Sequence, residues 1–145
     1  MGILSDFFAA APEQIRADQF GTGPAGTFPT VQSTSVTPVE LGDLLQVLPS
    51  STIADAAFRR AEFPLRLTCP GGESWVIACP AEMRDVLAGA SEEDLMRYAA
   101  GWAAFEQSRL NHADEAPLLS LLSGLAELCR LAQARGDSLL LWISV

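Results

Sequence analysis

The chain has 145 residues, a formal net charge of −9, and 49% hydrophobic against 19% charged residues, which suits one folded domain burying roughly 70% of its unfolded surface and sets it apart from disordered chains. All nine basic residues are arginine, which excludes a phosphate-loop lysine and a Schiff-base lysine. The arginines are scattered apart from Arg59–Arg60, so no nucleic-acid partner is expected, and an acidic surface favours a basic protein partner instead.

The N-terminal segment 3–17 spaces Leu4, Phe7, Phe8 and Ile15 around Pro12, which reads as one or two short helical turns, the second starting at Pro12-Glu13-Gln14. Residues 20–37 form an uncharged arm rich in Gly, Pro, Ser and Thr. An arm this long needs some ordered content in a compact domain. Thr30–Val36 suits a strand, and Phe20 and Phe28 are its natural anchors to the body. Gly21 to Gly26 within it spells G-x-G-x-x-G. A dinucleotide site needs a buried strand before that motif and a helix opening after it. Here Arg16-Ala-Asp-Gln precedes and Thr27-Phe-Pro follows, so the stretch reads as a Gly/Pro loop and no cofactor is expected.

Thr37-Pro38-Val39-Glu40 is a helix start: a hydroxyl cap, proline at the first position and an acid at the third. That helix runs to about Leu48 with Leu41, Leu44, Leu45 and Leu48 on one face, and Pro49 ends it. A second short helix is expected from Ser50 or Ser51 to Arg60, with Asp55 and Arg59 as an i,i+4 pair. Two apolar runs, 65–69 and 75–79, flank a turn-prone stretch and form a β-hairpin. Pro80 opens a helix through Ala88, and Gly89-Ala90 stops it. Ser91, Glu92, Glu93 and Asp94 cap the next helix, whose inner face carries Leu95, Tyr98, Ala99, Trp102 and Phe105. Glu93 and Arg97 have i,i+4 spacing, and Gly101 allows close approach of another backbone. After a break at 108–113, Asp114 or Glu115 starts a helix with a wide leucine stripe that Gly136 terminates. The last run, 139–145, is apolar nearly throughout and reads as a strand covered on both faces.

The fold class is therefore α+β: one globular domain over 1–145, with a small mixed or antiparallel sheet of three to four strands and helices mainly on one face. Cys69, Cys79 and Cys129 are widely spaced and make no Cys-x-x-Cys pair, which points to a reduced, cytoplasmic setting. No signal peptide and no transmembrane run is read, so no membrane partner is expected. The lysine-free composition suits a GC-rich bacterial source.

Two residues carry candidate chemistry. Cys79 ends a strand just before a helix, where dipole and free N–H groups favour thiolate. His112, the one histidine, sits in a loop beside Asp114, suited to a general base or a metal ligand. One histidine without convergent ligands makes no metal site, and a strand-end cysteine is ordinarily a small core residue. Trp75, Trp102 and Trp142 lie on core elements and read as packing residues. Both acidic clusters sit at helix starts that explain them, and Arg66 alternates outward on its strand. The function expected is a non-enzymatic, acidic, cytosolic interaction module of antitoxin, immunity or inhibitor character. The alternatives are a small enzyme or small-molecule-binding domain with a site near Cys79 and His112, and a self-associating assembly subunit using the arm or the terminal strand.

Overall fold

The computed structural model describes residues 3–20, 23–34, 36–49, 65–69, 71, 73–108 and 114–145. The helix expected over 50–60 and the loop holding His112 lie outside them.

The sheet has five strands, all antiparallel, rather than three or four: β1 (Leu4–Ala10), β2 (Thr30–Thr34), β3 (Leu65–Thr68), β4 (Ser74–Ala78) and β5 (Ser138–Ser144), in the order β2-β1-β5-β4-β3. The addition is β1, which replaces the first helical turn expected there; the second persists as a 3-10 turn at Pro12–Gln14. Leu4, Phe7 and Phe8 have helical spacing, but so short a run does not distinguish helix from strand. Pairing decides it, because β1 bonds to β2 on one side and β5 on the other. Its buried Ser5 is satisfied by a strand-specific arrangement, with Oγ accepting from the Val36 N–H at 3.0 Å and lying 3.0 Å from Ser33 Oγ.

The described residues hold four helices, in chain order α1 (Pro38–Val47), α2 (Ala81–Ala88), α3 (Glu92–Ser108) and α4 (Glu115–Arg135). Their ends are set by local chemistry. Thr37 accepts from the Val39 N–H while Glu40 accepts from the Thr37 N–H at 2.9 Å. Ser91 and Asp94 exchange the equivalent bonds at 3.1 and 3.0 Å. Gly136 takes a left-handed conformation (φ 69°), and the Asp137 N–H reaches back to the Ala132 carbonyl at 2.8 Å, closing α4.

Helices and arm take opposite faces of the sheet. The helix side buries Phe7, Ala9, Ile77, Leu139, Leu141 and Ile143 against leucines of all four helices. The other side buries Phe8, Ala10, Val76, Ala78, Leu140 and Trp142 under the arm. Phe8 meets Phe20 and Phe28 at ring-centroid distances of 5.5 and 5.4 Å, so those two residues anchor the arm as expected. β5 lies between β1 and β4 with both faces covered. It has no free edge, so it cannot serve as the pairing edge for a second copy.

Candidate functional site: the groove between β2 and α4

The strand order leaves β2 at one edge of the sheet. The Ala9 N–H donates to the Pro29 carbonyl at 3.1 Å. Antiparallel pairs alternate between bonded and non-bonded positions, so Val31 and Ser33 bond inward to Phe7 and Ser5 in the observed register. Thr30 and Gln32 therefore turn their backbone N–H and C=O groups outward.

Beside this edge lies the N-terminal half of α4. Gly124 brings helix and strand together, since a Cβ built there would lie 3.4 Å from Val31 Cγ1. Towards its N-terminus the helix leaves a groove of about 460 Å³. Val31, Gln32, Ser33 and Val36 line one wall, and Pro117, Leu118, Ser120 and Leu121 the other. Among the described residues no lining side chain is ionisable. Of the described residues beside the groove, 30–34, 36–37 and 114–124, only Asp114 and Glu115 are charged, and the arginines of α4, Arg130 and Arg135, lie towards its far end. A smaller hollow of about 200 Å³ lies between α3 and α4 against Leu95, the exposed Met96 and Leu119.

Cys79 follows β4 directly and precedes α2 by Pro80 alone, but its thiol is sealed in the helix-side core at 7% exposure. Burial, with Cys129 beside it, drives its pKa well above the usual thiol range. Burial likewise pushes Cys129 up to about 12. Proximity to a helix start lowers a thiol pKa only where solvent or a cation can support the thiolate; here desolvation is the larger effect. Neither cysteine borders the groove.

The tryptophans are packing residues. Trp102 is buried and donates to the Glu40 carbonyl at 3.1 Å, joining α3 to α1. Trp75 packs against the helix-side core, and Trp142 lies under the arm. The acids 92–94 occupy the first turn of α3, and Arg97 pairs with Asp94, not with Glu93 as its i,i+4 spacing suggests. Gly101 accommodates the Val47 side chain of α1, not a backbone: a Cβ there would fall 2.7 Å from Val47 Cγ1. Arg84 donates to the Asp137 carbonyl at 2.8 Å, and Arg130 to the Ala88 and Ala90 carbonyls at 3.1 Å each. These two arginines fasten helix ends to the body. The side chain of Arg66 lies outside the described set.

The glycine motif does not open a helix. Gly23 and Gly26 take φ values of 96° and 88°, and β2 follows. Gly23 instead packs the arm onto the sheet, where a Cβ would lie 3.2 Å from the Trp142 ring and 3.4 Å from Asp6 Oδ2. Asp6 is 9% exposed in this contact. Burial raises its pKa, and a hydrogen bond from the Ser33 backbone opposes the rise.

Among the described residues no group of three or more His, Cys, Asp or Glu side chains is placed to hold a metal, and no helix is long and apolar enough to cross a membrane. Comparison with protein-family models, curated proteins and solved structures finds no match. The functional reading therefore rests on the groove itself. Residue pattern gives little warning of the groove. Its lining residues are uncharged and form no motif, and they are brought together by the strand order. The one available signal is the absence of any arginine over 17–58.

Proposed function

We propose that this chain is a protein-interaction module that holds a polypeptide partner in the groove between β2 and α4. One observation carries the reading: the groove runs along the edge strand β2, whose outward backbone groups and walls meet no charge among the described residues, while Asp114 and Glu115 lie at one end of it. Such a site offers shape, apolar contact and backbone hydrogen bonds. Among the described residues it offers no nucleophile–base pair. The net charge of −9 favours encounter with a basic partner, as an acidic antitoxin, immunity or inhibitor protein would use it.

A peptide-display library panned against the parent and a Ser120→Trp variant tests the reading. Ser120 is exposed and lines the groove, so an indole there fills the space without entering the core. Peptides enriched on the parent and lost on S120W are expected. Equal enrichment on both proteins, or none on either, would overturn it.

A further inference from the structure

We infer that the groove's ligand is an extended polypeptide segment with basic flanks, which joins β2 as a sixth strand of the five-stranded sheet. This deepens the interaction reading and rests on it.

Three observations specify that chemistry. The first is the outward row of backbone groups at Thr30 and Gln32, which follows from the Ala9–Pro29 bond and the observed register. An extended backbone matches such a row at the sheet's own spacing; a helix, whose N–H and C=O groups are already paired, cannot. The second is facing. Residues opposite one another on neighbouring strands point to the same side of a sheet. Ligand residues opposite Val31 and Ser33 therefore project towards Leu118 and Leu121, while those between them project to the other side. The groove thus selects apolar side chains at alternate positions. The third is charge. Asp114 and Glu115 open α4, the helix that carries one wall, while its arginines, Arg130 and Arg135, lie towards its far end, away from Pro117 and Leu121. A ligand with arginine or lysine on either side of its core complements the two acids.

The same charge argues against a second copy as the occupant. Pairing β2 with β2 of another molecule brings two acidic regions together, with no basic residue over 17–58 of either chain. Among the described residues the edge shows none of the common guards against strand addition. β2 carries no charged residue and no proline, and Gln32 at its centre is exposed. A heterologous basic strand satisfies both the open edge and the field around it.

The test uses a fluorescent synthetic peptide with an alternating valine–threonine core between paired arginines, titrated by anisotropy. Four controls accompany it: the peptide N-methylated at its core amides, a version with glutamates in place of the arginines, and the protein variants Gln32→Pro and Ser120→Trp. Proline at Gln32 removes an outward N–H that β1 does not use, a position where edge strands tolerate it. Saturable binding is expected, weakened at least tenfold by Q32P, by S120W, by N-methylation and by the glutamate flanks. The Gln32 amide should also gain protection from hydrogen exchange on binding. If Q32P fails to fold, the N-methylated peptide and the exchange measurement decide alone. Binding that S120W abolishes but Q32P and N-methylation leave intact would overturn strand addition while leaving the interaction reading standing. No binding of the arginine-flanked peptide also overturns strand addition, whereas the display selection judges the broader reading. A dimer seen by sedimentation and abolished by Q32P would assign the edge to a second copy and overturn it too.

Discussion

Gly101 in α3 and Gly124 in α4 both lie within helices, yet alanine should act on them with opposite sign. Exchanging an interior helical glycine for alanine gains about 0.8–1.0 kcal/mol of propensity, and that gain enters both variants alike. Only packing separates them. At Gly124 the new methyl meets Val31 Cγ1 at 3.4 Å, an ordinary contact. At Gly101 it would fall 2.7 Å from Val47 Cγ1, well inside the carbon–carbon optimum of about 3.5–4.0 Å. Overpacking of this kind costs about 1–3 kcal/mol. G124A should therefore be about 1 kcal/mol more stable than the parent, and G101A between neutral and about 2 kcal/mol less stable. For 145 residues the unfolding entropy is about 0.3 kcal/mol/K, so 1 kcal/mol moves Tm by about 3 °C. Urea titrations followed by tryptophan fluorescence, with calorimetry for Tm, measure both changes. Val47→Ala supplies the internal control. It removes the two methyls that the new Cβ would meet, so adding G101A to V47A should restore a gain of about 1 kcal/mol. G101A as stabilising as G124A with Val47 in place, or a double variant that shows no rescue, would refute the close contact between α1 and α3.

Two further outcomes test the charge and thiol environments. Burial raises the Asp6 pKa above its ordinary 3.8, so in the window between that value and the raised one the folded state holds more protons than the unfolded. Stability is then full below the window and is lost as pH rises through it. Asp6→Asn removes this loss, and its advantage in urea midpoint should grow from acid to neutral pH; an advantage independent of pH would contradict the buried placement of Asp6. With Cys79 and Cys129 buried and their thiols held protonated, iodoacetamide near neutral pH should label neither until urea unfolds the protein, as read by mass spectrometry. Rapid labelling of native Cys79 would revive the reactive-thiol reading.

Much of the fold was legible because it is written in short-range chemistry. The Thr37 and Ser91 caps, the stop at Gly136, the hairpin and the apolar terminal strand each depend on residues within a few positions of one another. The arm was legible through Phe20 and Phe28, two rings in an uncharged stretch that only the body could bury. β1 was not, since Leu4, Phe7 and Phe8 fit a helical face as well as a strand buried on both sides. Strand rather than helix is decided by β2 and β5, whose pairing partners lie some 20 to 140 residues away. Cys79 illustrates the same limit in chemistry. Its position before a helix was readable, but the burial that governs its thiol comes from the core packed over it, with the charge of Cys129 adding to the rise.

The groove belongs wholly to the tertiary level. The amino-acid sequence by itself determined an acidic α+β domain, the ends of its helices, and a run from 17 to 58 with no positive charge. Only the tertiary structure decided that β2 lies at the edge, that β5 lies at the centre, and that α4 passes beside Val31 to leave a trough. The physical reason is that helix caps and turns are set by neighbours along the chain. Strand order is set by how residues far apart in sequence share one buried sheet, and that order decides which backbone groups remain open to a partner.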